Sequence, residues 1–457
     1  MTHGSRRANG HISVPALARV EGEGGLEIVV SDGQVTGARL DIYEPPRFFE
    51  ALLRGRQYTE PPDITARICG ICPVAYQMSA CHAIEDACGV TPPEPVRALR
   101  RLLYCGEWIE SHALHVYLLH APDFLGYPSG IDLARDHPDI VSRGLRLKKA
   151  GNHLMAAVGG RSIHPVNVKV GGFYRAPTPR ELAQLTPDLE QARQDAADTL
   201  TWVATFDFPE FERDYEFVSM RHPRQYPITE GRIVSSGGLD IAPKEYDDHF
   251  TEFQVEHSTA LHSTLDGRTY LTGPLARYSL NFDRLPAHIQ DEARAAGLGE
   301  TCANPFRSIL VRAVELLFAC DEALRLIAEY QPPDPPAVDV TPQQASGYGV
   351  SEAPRGMLYH RYTITGDGTI TDAKIVPPTS QNQRAIEADL VDFASPRLDM
   401  EHERLTAECE QAVRNHDPCI SCATHFLDLW LIDGADGNHD HHHHDHHAAH
   451  PPELPHN

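Results

Sequence analysis

Positive charge is scarce in this chain. Its 40 Lys and Arg residues face 64 Asp and Glu, giving a formal charge of −24 over 457 residues. That sign repels phosphate backbones and anionic headgroups, which argues against nucleic acid and the membrane as partners. Long apolar runs are missing too. No stretch reaches the roughly 18 residues that a membrane-spanning helix needs. Arg6-Arg7 lies near the start, but no apolar segment follows, so no signal peptide is expected. A Gly-x-Gly-x-x-Gly fingerprint is absent, so a dinucleotide is not expected to bind this chain. No internal repeat is visible. What is present is 41% hydrophobic residues, the composition of a globular protein. The length suffices for one large core or about two to three domains.

Ten cysteines occur, at 69, 72, 81, 88, 105, 302, 320, 409, 419 and 422. Six are scattered through apolar, helical-looking segments and read as buried free thiols of a reducing compartment rather than as disulfides. The other four form two Cys-x-x-Cys pairs. One is Arg67-Ile68-Cys69-Gly70-Ile71-Cys72-Pro73; the other is Asp417-Pro418-Cys419-Ile420-Ser421-Cys422-Ala423-Thr424-His425. One such pair alone leaves structural zinc, iron–sulfur and redox roles open. Two pairs offer four soft thiolates, a donor set for nickel, zinc or iron. Structural zinc pairs usually lie about 12–20 residues apart, whereas these sit near opposite ends of the chain.

Periodicity predicts a mainly helical α+β fold, a core bundle of long helices with small β layers. Helices are expected over 73–88, 95–120, 140–158, 179–206, 306–330 and most of 385–415. Pro73 suits a first helical turn and places Cys72 at a helix N-terminus, where the dipole favours a thiolate. Hairpins are expected at 26–30 with 35–42, and at 357–364 with 370–376. Residues 1–11 read as a frayed start, and residues 207–300 hold no recognisable chemistry. The tail from Asp433 onward interleaves histidines with Asp440 and Asp445, low-complexity sequence that cannot bury a core.

The two cysteine motifs resemble the signatures of the nickel–iron hydrogenase large subunit. Ala18-Arg19-Val20-Glu21-Gly22, Pro46-Arg47-Phe48-Phe49-Glu50, Gly159-Gly160-Arg161-Ser162-Ile163-His164-Pro165 and Glu352-Ala353-Pro354-Arg355-Gly356 follow in family order. The resemblance covers about residues 12–425, and its phrasing is most similar to the alpha subunits of cytoplasmic NADP-linked hydrogenases, or sulfhydrogenases. It implies a Ni-Fe(CN)2(CO) centre with Cys69 and Cys419 as terminal nickel ligands and Cys72 and Cys422 bridging to iron. It further implies Arg355 over the metals, held by Asp123 and Asp417, and Glu21 relaying protons from the terminal thiolate Cys419. Pro354 flanks that arginine. Thr379 or Ser380 would hydrogen-bond a cyanide. Glu50, His425 and the Ile375 carbonyl would bind Mg2+ or a similar ion. Many relatives carry a histidine where this chain has Tyr76, so a hydrogen bond to the bridging sulfur from that side is not expected.

The implied reaction is reversible cleavage of dihydrogen. Electrons would leave through a small subunit with Fe-S clusters to flavin (FAD) and NADP subunits, since this chain has no spare cysteine set for a relay. The resemblance also implies a cytoplasmic hetero-oligomer matured by nickel-insertion chaperones and a protease. The latter would cut after His425, leaving a catalytic domain of residues 1–425 and releasing a propeptide of residues 426–457. The histidine-rich run in that propeptide is expected either to hold nickel during maturation or to be a genomic low-complexity run. Alternatives are a zinc-stapled, non-enzymatic scaffold related to complex I, and a deazaflavin-linked or membrane-linked hydrogenase.

Overall fold

The computed structural model describes residues 9–425, and both the histidine-rich run and the propeptide expected beyond His425 lie outside them. The core is a set of long helices: α1 (Pro73–Ala87), α2 (Glu94–Leu114), α3 (Pro138–Gly159), α4 (Thr186–Val203), α5 (Pro274–Asn281) and α6 (Ser308–Ala328). Two more, α7 (Pro378–Ala394) and α8 (His402–Arg414), lead to the second cysteine pair. Helix α2 packs along α3 and α6, and α6 along α4. The α2–α3 approach depends on Gly106 and Gly151. A Cβ at Gly151 would lie 2.6 Å from the Gly106 carbonyl oxygen, so any side chain would push the helices apart.

Three predicted helices are interrupted, each for a local reason. The segment 179–206 breaks at Gln184–Leu185 because Pro187, in the first turn of α4, has no N–H to donate to a preceding helical turn. The segment 385–415 starts earlier, at Pro378, and divides into α7 and α8. The segment 95–120 loosens into a π-helical turn over His115–His120. That turn redirects two buried histidines. His115 Nε2 lies 2.9 Å from the Arg414 carbonyl and His120 Nε2 lies 3.0 Å from Asn415 Oδ1, so both grip the approach to the second cysteine pair. Widened turns of this kind are frequent at functional sites.

The described residues hold three three-stranded antiparallel sheets; one joins Val218–Arg221, Arg232–Ser235 and Asp240–Ile241, and the other two carry or support the site. In the first of these two, β1 (Gly10–Val14) pairs with β2 (Gly24–Ser31), which pairs with β3 (Gln34–Ile42). Ile12 pairs with Ile28, and Leu26 with Leu40. These residues face inward against Leu390 and Phe393 of α7. The supposed frayed start therefore includes a strand whose alternation begins only at Ile12. A small hairpin follows, β4 (Phe250–Val255) with β5 (Ser258–Leu265), packed on α7. The second sheet runs β6 (Ala345–Ala353), β7 (Gly356–Ile364) and β8 (Ile370–Val376). Strand β6 adds to the predicted hairpin. Its small residues disguise it, because it lies flat on α1 rather than presenting large apolar side chains. The tight β6–β7 turn carries Pro354 and Arg355.

Candidate metal centre

The two cysteine pairs meet. Cys69 and Cys72 lie on the turn entering α1, while Cys419 precedes a short helical turn, Ile420–Ala423, that contains Cys422. All four sulfurs are buried and lie within 4.8 Å of one another. Cys69 Sγ is 3.6 Å from Cys419 Sγ, and Cys72 Sγ is 3.9 Å from Cys422 Sγ. A backbone bridge between Glu21 and Cys419, in which Ile420 N donates to the Glu21 carbonyl at 2.9 Å, ties the second pair to the N-terminal segment. Gly22 makes this possible. Its φ is +87°, and a Cβ there would meet Ser421 N at 2.8 Å.

The sulfurs differ in electrostatics. Cys69 receives the Ile71 and Cys72 amides at 3.3 Å each. Hydrogen bonds from Cys419, then from Cys422 and Cys72, pull its thiol well below the usual range. Burial pushes Cys419 and Cys422 up. The expected dipole effect on Cys72 is taken over by another group. Glu107, buried on α2, accepts the Val74 and Ala75 amides at the start of α1, so these donors serve a carboxylate rather than a sulfur. Burial raises the Glu107 carboxyl well above its ordinary range. Nothing in the Glu-Trp-Ile-Glu stretch of α2 marks it out by sequence.

Arg355 is buried beside the sulfurs. Its Nε donates to the Asp417 carbonyl at 2.8 Å and its Nη2 to Asp417 Oδ1 at 3.1 Å. Asp417 adopts φ +51°, a left-handed conformation that aspartate tolerates better than most residues. Against the cost of burial, Asp417 and the thiolates Cys419, Cys72 and Cys69 hold the guanidinium charged. Among the described residues, Arg355 Nη1, Asp417 Oδ2 and Tyr76 Oη are buried without a hydrogen-bond partner. Burial and the thiolate field raise the Tyr76 pKa, which keeps its hydroxyl protonated.

Asp123 belongs to a different arrangement from the one expected. Its carboxylate takes a bidentate pair from Arg414, at 2.9 and 2.8 Å, and a third bond from Arg19 at 2.5 Å. Burial works against the charge, but Arg414 and Arg19 outweigh it and hold the carboxyl below its usual range. It therefore ties the segment before Glu21 to the end of α8, one step removed from Arg355. Segment 207–300 also holds more than its sequence suggests. Arg277 of α5 donates to Glu315 at 2.7 and 2.8 Å and to Glu352 at 2.8 Å. It also donates to the Ala353 and Pro354 carbonyls at 2.9 and 3.2 Å, gripping the turn that carries Arg355.

The other candidate residues form two groups, one beside the sulfurs and one at the chain end. Glu21 Oε2 lies 3.1 Å from Cys419 Sγ. Thr379 Oγ1 accepts the Cys419 amide at 3.0 Å, while Ser380 Oγ donates to the Pro377 carbonyl at 2.9 Å. Some distance along the chain end, Glu50 accepts the Ile375 amide at 2.7 Å and lies 3.1 Å from His425 Nε2. Glu252 of β4, missed by sequence, joins this group. Burial pushes it up to about 7 despite Lys374 and His425, and its Oε1 has no hydrogen-bond partner among the described residues.

A family model described as nickel-dependent hydrogenase matches residues 47–134 and 287–425. The alpha subunit of sulfhydrogenase 1 of Pyrococcus furiosus is 35% identical over 425 residues, covering 92% of this chain and 98% of the relative. The alpha subunit of sulfhydrogenase 2 from the same organism is 36% identical, covering 92% and 100%. This chain is a nickel-dependent hydrogenase large subunit. A crystal structure of an NAD+-reducing [NiFe]-hydrogenase in its H2-reduced state superposes with a TM-score of 0.82 at 28% identity, covering 92% of this chain and all of that one (100%). The hydrogenase fold is thus shared nearly end to end. The residues here fit a nickel–iron centre. Four soft donors converge in a buried site, and an unpartnered guanidinium nitrogen and an unpartnered phenol lie beside them. Among the described residues, no helix is long and apolar enough to cross a membrane.

Proposed function

We propose that this hydrogenase subunit cleaves dihydrogen reversibly and heterolytically, yielding two protons and two electrons, and that its electrons leave for a nicotinamide. Cys69, Cys72, Cys419 and Cys422 would hold the Ni-Fe(CN)2(CO) centre, which supplies the electrophilic, electron-accepting site for H2. The observation that carries the reading is the 3.1 Å contact between Cys419 Sγ and Glu21 Oε2. A thiolate sulfur can take a proton from H2 as it splits, and the carboxylate is placed to receive it. Ser421 donates its amide to Glu21 Oε2 at 3.1 Å and its hydroxyl to Glu44 Oε2 at 2.9 Å, so a second carboxylate lies next along an outward route. Arg355 places fixed positive charge over the reacting site, where developing negative charge is stabilised without reorganisation.

Thr379 is the better partner for a cyanide nitrogen. Its oxygen accepts the Cys419 amide, which leaves the hydroxyl proton available, whereas the Ser380 proton is committed to Pro377. Glu50, His425 and the Ile375 carbonyl would hold Mg2+, and the unpartnered Glu252 oxygen suits the same hard cation. Cleavage after His425 by a maturation protease would free that histidine, after chaperones have loaded nickel.

Electrons would pass to Fe-S clusters of a small subunit and on to FAD and NADP on partner subunits. Among the described residues, the one grouping of cysteines is the quartet, so the chain has no relay of its own. The names of its relatives, a sulfhydrogenase alpha subunit and an NAD+-reducing hydrogenase, support a complex of this kind, which we place in the cytoplasm. The test is H2-driven reduction of NADP+, NAD+ and a viologen dye by the purified complex. NADP+ reduction that requires the flavin subunit, with viologen reduction surviving its removal, is expected. Viologen reduction with neither nicotinamide reduced by the intact complex would overturn the acceptor assignment. Glu21→Gln is expected to lower turnover by about 10²–10⁴-fold while nickel content stays unchanged.

A further inference from the structure

A second cluster of metal-ligating side chains lies away from the four cysteines. His257 occupies the turn between β4 and β5, His262 follows on β5 beyond a bulge, and Glu387 projects from α7. Their ligand atoms lie within 4.8 Å of one another. His257 Nε2 is 2.7 Å and His262 Nε2 is 3.9 Å from the same oxygen, Glu387 Oε1. We propose that His257, His262 and Glu387 form a binding site for a divalent ion of the Zn2+ class.

Three observations support it. First, the donor set is two imidazoles and a carboxylate, which borderline divalent ions favour. Second, His262 is 4% exposed, yet its Nε2 has no hydrogen-bond partner among the described residues. A buried imidazole nitrogen left without a partner is costly unless something else binds it. Third, the geometry needs little change. Tetrahedral zinc with ligands at about 2.0–2.1 Å places donors about 3.3 Å apart, between the two distances found here. Glu387 is already oriented by the Leu40 amide, which donates to Oε1 at 3.0 Å, the kind of outer contact that fixes a metal ligand. His257 is 23% exposed and sits on a turn, so it can supply the adjustment.

The cluster opens on a surface cavity of about 480 Å³ lined also by Phe253 and Arg384. Three protein ligands with an open side leave a fourth position for water or a small anion. The location carries a consequence. Thr259 accepts the His425 amide at 2.8 Å, and Ala260 bridges to Thr424. Both lie between His257 and His262. An ion on the two histidines would therefore brace the stretch of hairpin that holds the chain end. The binding site itself does not depend on the acceptor or on processing.

Co2+ titration of the uncleaved full chain tests this, read by visible absorption. Binding at the proposed site gives a saturable d–d band without the thiolate-to-cobalt charge transfer that the cysteine site would give. His257→Gln and Glu387→Gln are expected to weaken that band's affinity beyond the about 10–100-fold seen for outer-shell partners, with circular dichroism unchanged. His257→Gln lies on an exposed turn and keeps the comparison valid should Glu387→Gln misfold. Equal affinity in wild type and His257→Gln would overturn the site. So would loss of the band on deleting residues 439–450, since the ion would then belong to the histidine-rich run.

Discussion

Two buried polar clusters lie on either side of the β6–β7 turn, and they are built to opposite rules. Around Arg277 all three guanidinium nitrogens and both facing carboxylates are bonded. The guanidinium lies 4.2 Å over the Trp108 ring and its fork is shared between Glu315 and Glu352, while Tyr226 shares Glu315 Oε1 at 2.7 Å and the Met220 amide takes Glu352 Oε1 at 2.6 Å. Around Arg355 the accounting is left open, with Arg355 Nη1, Asp417 Oδ2 and Tyr76 Oη lacking partners beside four thiol groups. Saturated networks specify a structure, whereas unanswered buried polar groups mark where something else binds. The closed cluster holds the turn by its carbonyls, and the open cluster uses the arginine which that turn presents.

The contrast can be broken from either side. The largest effect is expected at the open cluster: Cys422→Ser removes a ligand and should abolish nickel incorporation and hydrogen turnover, read by metal analysis. The fold should survive, because the sulfurs contribute no closed network. At the closed cluster, Arg277→Met strands two buried carboxylates and should cost about 3–5 kcal/mol of stability, read as a lower unfolding midpoint. Arg355→Lys keeps the charge but loses the fork to Asp417. It should lower turnover by about 10²–10³-fold, as for removal of one preorganised donor, with nickel content and the unfolding midpoint nearly unchanged.

The smallest effect concerns pH. Against burial, the fork of Arg277 pulls Glu315 down to about 2, while burial pushes Glu352, with its single arginine contact, up to about 7. An unfolded glutamate titrates near about 4.3. Between those values the folded chain keeps a proton on Glu352 that the unfolded chain has released. That stability is full below about pH 4.3 and is lost as pH rises through about 7. Glu352→Gln should therefore flatten the fall in stability between about pH 5 and 7, measured by denaturation at several pH values. An unchanged slope would place the titration elsewhere.

The legible parts of this molecule share one property: their chemistry is local in sequence. The cysteine pairs, the long amphipathic helices and both hairpins announce themselves through spacing or period, while Pro354 and Arg355 stand out only through the family resemblance. What stayed hidden depends on distant partners. Glu107 gains meaning only when α2 places it at the start of α1, and Glu252 only when β4 brings it beside Lys374 and His425. Arg277 lies 75 residues from Glu352 in the chain. The resemblance implies Asp123 beside Arg355, but Arg19 of the Ala18–Gly22 motif and Arg414, which no motif singles out, claim it. Strand β6 escaped because residues selected to lie against a helix lack the bulk by which strands are recognised.

Metal analysis combined with infrared spectroscopy of the processed chain, purified with its native partners, tests the open cluster most directly. Equimolar nickel and iron, with sharp cyanide and carbonyl stretching bands, are expected. Zinc alone on the four cysteines, without those bands, would contradict the assignment of this site to dihydrogen chemistry.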